Sequence, residues 1–258
     1  MHFDSNANSQ SLHGKNVLKL GVNIDHVATL REARGTTYPS PLEAARICEA
    51  AGAHGLTIHL REDRRHIQDA DVVELVGAAK VPVNLELATA GDIVDLAVKM
   101  RPAEACLVPE RREEVTTEGG LDAVARFDDV SRVTERLRDA GIRVSLFIEA
   151  DAKQLDAARA MGAPVVELHT GAFCDAEGGK ADQELERLID GARIAHGLGL
   201  QVNAGHGINM DNFGGILRIP HLDTLNIGHS IVARAVMVGM DLAVREVLEV
   251  CRQYESPR

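Results

Sequence analysis

Tryptophan is missing from this chain, and its aromatic content is two tyrosines and five phenylalanines. With aromatics at 3% and hydrophobic residues at 45%, the core has to be packed from aliphatic side chains between helices and a sheet. A net charge of −11 leaves no extended basic face of the kind nucleic acid requires. No apolar run approaches the ~18 residues that a membrane-spanning helix needs. Residues 1–16, MHFDSNANSQSLHGKN, lack an apolar h-region and are no secretory signal; a flexible leader is expected there. Cys48, Cys106, Cys174 and Cys251 stand far apart with no CxxC pair, so they read as reduced, mostly buried thiols. A cytoplasmic protein is expected.

Three further absences narrow the chemistry. No GxGxxG follows the first strand candidate, which removes the main reason to prefer a dinucleotide-binding fold. HExxH is absent as well. The first strand ends NIDH with one histidine, not the HxH usual in barrel metallohydrolases, although His59, His169, His206 and His229 are candidates to converge. No metal and no cofactor are expected.

From Val17 onward, short apolar runs alternate with amphipathic stretches. Strand candidates are Val17–Asp25, the run ending at Leu60, Pro82–Leu87, Ala105–Val108, Arg143–Glu149, Val165–His169, Leu200–Ala204 and Thr224–Ile227. A polar segment, REARGTTYPS, follows the first. The helix after it has a marked start, with Ser40 as N-cap, Pro41 at the first helical position and Glu43 completing a capping box; Gly52 stops it. Further helices are expected near 69–79, 90–100, 128–140, 151–161, 183–197 and 211–217, with one closing helix from Ile231 to Cys251. Between residues 170 and 182, TGAFCDAEGGKAD reads as a glycine-rich loop. Eight strand-then-helix units in about 240 residues call for right-handed crossovers and a closed parallel (β/α)₈ TIM barrel. One domain, 17–258, is expected after the leader.

Active sites of such barrels lie at the carboxyl ends of the strands. Those ends carry Asn23, Asp25 and His26, then His59 and Arg61, Glu86, Glu110 and Arg111, Glu149, Glu167 and His169, His206, and His229. The segments entering the strands are small and mostly neutral. Ionisable groups at a buried rim cost desolvation unless they are paired or used, so the asymmetry favours an enzyme. NAGHG (203–207) and NIGHS (226–230) both place Gly-His at a strand end, and a helix follows the second at once. Free N–H groups there suit a phosphate, although two tight turns would also need glycine. HLREDRRH (59–66) joins an imidazole to guanidiniums at one rim; Arg61 and His66 would form a second anion site, while a surface salt-bridge loop is the plainer alternative. In NLEL, Asn84 and Glu86 share one face, so Glu86 is placed at the barrel mouth as a proton carrier; a salt bridge to Arg61 or another rim base is the plainer reading and is compatible with that role. His54, His196 and His221 read as structural or solvated.

Longer motifs carry a resemblance. GVNIDHVATLREARGTTYP, TIHLREDRRHI, NLE, LVPERREEVTTEGGLD, VSLFIEAD, ELHTG, VNAGHG and LNIGHSIVARAVMVG together resemble the pyridoxine 5′-phosphate synthase family, over about Leu18 to Leu248. The resemblance implies a (β/α)₈ barrel assembled as a homo-octamer. It implies a condensation of 1-deoxy-D-xylulose 5-phosphate with 3-amino-2-oxopropyl phosphate, giving pyridoxine 5′-phosphate, inorganic phosphate and water. It places His59 and Glu86 on proton-accepting positions and His206 on the proton donor. Asn23, Arg34, Gly207, Gly228 and His229 match positions that hold the amino-oxopropyl phosphate. Asp25, His26, Arg61, His66 and Thr116 match those that hold the deoxyxylulose phosphate.

Two rivals remain on the residues alone. Another phosphate-binding barrel enzyme would share the sites after strands seven and eight but has no use for HLREDRRH. A non-catalytic sensor of phosphorylated metabolites would need the anion sites but not Glu86.

Overall fold

A computed structural model of the chain describes residues 17–110 and 119–256; the expected leader, Arg111 and Thr116 lie outside the described residues. Eight strands form the frame: β1 (Lys19–Asn23), β2 (Gly55–His59), β3 (Val83–Leu87), β4 (Glu104–Leu107), β5 (Arg143–Ile148), β6 (Val165–His169), β7 (Gln201–Gly205) and β8 (Leu222–Ile227). They pair in parallel in chain order, and β8 returns to β1, closing the barrel. The fold is the expected TIM barrel.

Helices α1 (Asp25–Glu32), α2 (Pro41–Ala51), α3 (Asp69–Ala78), α4 (Gly91–Met100), α5 (Phe127–Asp139) and α6 (Ala152–Ala160) fall in the first five units and after β5. The later ones are α7 (Gly171–Cys174), α8 (Gly178–Gly197), α9 (Phe213–Ile216), α10 (His229–Val238) and α11 (Met240–Cys251). Local signals explain α2 well. The Ser40 hydroxyl accepts the Glu43 N–H at 3.3 Å, Pro41 opens the first turn, and Gly52 ends the helix at φ 103°.

Elsewhere the structure corrects the expected elements. The segment directly after β1 is helical, because α1 is held by a tertiary contact that no local pattern announces. Arg31 forks onto the Asp71 carboxylate of α3 with two 2.7 Å hydrogen bonds and also donates to the His66 carbonyl. The expected loop after β6 contains the short helix α7, and α8 starts at Gly178, five residues before the expected Gln183. The closing helix is two helices, since Gly239 takes φ 86°, ψ 154° and breaks the backbone ladder between α10 and α11.

Alternation along the strands divides the barrel into two environments. Leu56, Ile58, Leu85, Leu87, Leu146 and Leu168 are fully or almost fully buried and belong to the core cluster. The intervening residues, among them Thr57, His59, Asn84, Glu86, Ser145 and Glu167, take the opposite parity. Polar side chains are thereby directed to the barrel interior. No helix among the described residues is long and apolar enough to cross a membrane.

Candidate active site

A cavity of about 910 Å³ opens at the carboxyl ends of the strands. His59, Glu86 and His206 all line it, together with Asn23, Asp25, His26, Arg61, Gly207, Gly228 and His229. Arg34 lies outside the lining, exposed after the C-terminus of α1. His66 also lies outside it, its ring centroid 6.2 Å from that of His59. Its Nδ1 accepts the Ile67 N–H, and burial together with the charges of His59 and Arg61 drives its pKa down to about 4. The basic cluster thus divides. Arg61 faces the cavity, whereas Arg64 pairs with Asp69 and Asp92, and Arg65 with Asp63, as a surface loop would.

His59 sits opposite Glu86 in the β2–β3 register, and its Nδ1 lies 3.9 Å from the Glu86 carboxyl. Its main-chain N–H donates to Asp25 Oδ1 at 2.8 Å, and its Nε2 lies 3.0 Å from Glu110 Oε1. Burial, reinforced by the Glu167 and Asp25 carboxylates, holds the Glu86 pKa well above the usual carboxylate range. Burial likewise raises Asp25 to about 6 against the opposing His59 N–H and the His59 charge. At the floor, Glu167 is pushed up to about 7 by burial, although Asn226 Nδ2 donates to it at 2.5 Å. Thr57 Oγ1 in turn donates to Asn226 Oδ1.

Across the cavity, His206 occupies left-handed backbone at φ 82°. Thr170 Oγ1 donates to the Gly205 and His206 carbonyls and holds that bend in place. Burial, and then the nearby His169, lower the His206 pKa. His169 is itself anchored: its Nδ1 lies 2.8 Å from Glu149 Oε1, and Arg187 Nη1 donates to Glu149 Oε2 at 3.0 Å. The two ends of the cavity are therefore tuned in opposite directions. Glu86 binds a proton more tightly than a free carboxylate, and a protonated His206 gives one up more readily than a free imidazolium. That division suits one acceptor and one donor.

Glycines shape the third wall. At Gly228, directly before α10, a Cβ would stand 2.9 Å from the Asn23 Cβ. Gly207 takes φ 78°, and a Cβ there would meet Cys174 at 2.7 Å. Both glycines line the cavity beside the N-terminus of α10, and free N–H groups at a helix N-terminus favour an anion. Asp25, His59 and Glu86 also present potential ligand atoms within 4.8 Å of one another.

Glu110, Glu149, Glu167 and His169 stand at strand exits in the sequence, yet nothing local showed which would meet a partner. Asn226 lies within NIGHS, but its contact with Glu167 passes over the intervening strand β7. Those pairs form only when the strands assemble into the sheet.

Comparison with known proteins gives the family. Residues 20–253 match the family model described as pyridoxal phosphate biosynthesis protein PdxJ. Pyridoxine 5′-phosphate synthase of Idiomarina loihiensis is 55% identical over 231 residues, which cover 89% of this chain and 96% of that protein. The Coxiella burnetii enzyme of the same name is 53% identical over 232 residues, covering 90% and 97%. Among solved structures, the tryptophan synthase A-subunit of Pyrococcus furiosus superposes with TM-score 0.58 at 12% identity, covering 93% of this chain and 97% of that one. The flavin-binding domain of baker's yeast flavocytochrome b2 gives 0.61 at 12% identity, covering 92% and 63%. At such identities these two likenesses show the barrel alone. The sequence relatives show more: the chain belongs to the pyridoxine 5′-phosphate synthase family.

Proposed function

We propose that His59, Glu86 and His206 run the family's reaction in this cavity, joining 1-deoxy-D-xylulose 5-phosphate to 3-amino-2-oxopropyl phosphate. The amine of one substrate attacks the ketone of the other and water leaves, giving a Schiff base. His59 and Glu86 remove protons, and His206 returns one as phosphate departs. Ring closure and a second dehydration complete the aromatic ring of pyridoxine 5′-phosphate. Several transfers on different faces of the intermediate call for more than one base. The observation that carries this reading is the convergence of all three residues on one cavity, with the Glu86 and His206 pKa values displaced in opposite senses.

Gly207, Gly228 and His229, with Asn23, support a site for the amino-oxopropyl phosphate. Asp25, His26 and Arg61 support one for the deoxyxylulose phosphate. For Arg34, His66 and Thr116 the assignment rests on the resemblance alone. The sensor reading has no use for a desolvated Glu86. Incubating the protein with both substrates and identifying pyridoxine 5′-phosphate by mass and absorbance tests the proposal; binding without product would support the sensor.

A cytoplasmic homo-octamer is part of the same reading. Val236 and Met237 on α10 are 68% and 78% exposed, and Tyr38 is 70% exposed, which favours burial against further copies. Light scattering at working concentration tests the assembly, and a monomer would overturn it.

A further inference from the structure

We propose that Glu110 is a positioning residue for His59, holding the proton of Nε2 and thereby directing a bare Nδ1 at Glu86 and the substrate. The proposal rests on the acid–base role given to His59 above. Three contacts fix the imidazole and its support. Glu110 Oε1 lies 3.0 Å from His59 Nε2, and Glu110 Oε2 accepts the Glu62 N–H at 2.8 Å. The His59 main chain is tied to Asp25. The Glu110 side chain is only 3% exposed, so water does not compete for these bonds.

A carboxylate has acceptors and no donor, so the hydrogen in a 3.0 Å contact with imidazole belongs to the ring. Burial opposes ionisation of Glu110, but the His59 bond and the Glu62 N–H outweigh it, and its pKa falls below the usual carboxylate range. With Nε2 occupied, Nδ1 is the ring nitrogen left to accept a proton, and it is the one 3.9 Å from Glu86. In the reaction, a substrate proton passes to Nδ1 while its bonding electron pair stays on the substrate. The resulting imidazolium faces the Glu110 carboxylate through Nε2–H. Return of that proton restores the neutral ring. Fixing the tautomer of a working histidine through its second nitrogen is a general use of carboxylates.

Neutron diffraction from deuterium-exchanged crystals of the unmodified protein at pH 8 locates the proton directly. Deuterium bonded to His59 Nε2, between the ring and Glu110, is the expected result. A bare Nε2 would overturn the proposal. Kinetics of Glu110→Gln supply the second reading, since glutamine keeps the shape and an acceptor for the Glu62 N–H while losing the charge. With both substrates, kcat is expected to fall by about 10–100-fold, as for other groups that orient a catalytic residue, with KM within about threefold of the parent. An unchanged kcat would contradict it. Failure of the unmodified protein to make product would count against the reaction instead, and the neutron result would still decide the tautomer.

Discussion

The carboxylate of Asp25 accepts the main-chain N–H of His59 at 2.8 Å, joining the first residue of α1 to the last residue of β2. Its other oxygen accepts Asn23 Nδ2. A residue expected only to hold substrate is thus also a clamp on the backbone that delivers His59. Asp25→Ala leaves a largely buried N–H without this acceptor and should lower stability by about 1–3 kcal/mol. Asp25→Asn keeps an amide oxygen in place and should cost clearly less. Denaturant unfolding of both variants checks this, and equal losses would remove the clamp.

Glu167 provides a pH test. Its folded pKa is about 7, against 4.5 for the ordinary carboxyl. Between these values the folded chain holds a proton that the unfolded chain has released, so this group's contribution falls as pH rises through the window. Glu167→Gln, which retains an acceptor for Asn226, should match the parent below pH 4.5 and exceed it above pH 7. The plateau difference is expected to be about 1–3 kcal/mol. Melting curves across that range decide it; a difference independent of pH would mean that Glu167 ionises freely.

Gly228 tests the phosphate wall. A methyl group there would press on the Asn23 side chain at 2.9–3.0 Å, beside the start of α10. Gly228→Ala should raise KM for 3-amino-2-oxopropyl phosphate by about tenfold, with a smaller effect on the other substrate. Gly214→Ala is the control, since nothing lies within 4 Å of the added atom. Equal effects on both substrates would move the site elsewhere.

His169 and His206 have ring centroids 5.1 Å apart, and the charge of the first adds to burial in lowering the pKa of the second. His169→Asn removes that charge. The limb of the kcat–pH profile that belongs to His206 should then move to higher pH. A profile that falls in height without moving would give His169 a packing role only.

The architecture was legible because each strand has its own period and each crossover its own amphipathic run. Parity alone set Glu86 apart from Leu85 and Leu87. What stayed hidden depends on neighbours distant in sequence. Helix α1 has no capping side chain at Ile24 and is secured by Arg31 on Asp71, forty positions away. The run from Ile231 to Cys251 has helical composition throughout, and only the backbone at Gly239 shows the break. Among site residues, Gly-His at two strand ends could be read directly. The links of Glu110 to His59 and of Asn226 to Glu167 span 51 and 59 positions and exist only once the strands are set side by side. His66 lies in the same motif as His59 and Arg61 but is not among the residues lining the cavity, and its Nδ1 accepts the Ile67 N–H.

Turnover by Glu86→Gln addresses the central claim most directly, since that side chain sits in the cavity with His59 and has the strongly raised pKa. Calorimetry should find both phosphorylated substrates bound nearly as by the parent, while single-turnover formation of pyridoxine 5′-phosphate slows by about 10²–10⁴-fold. Product formed at the parental rate would contradict the account.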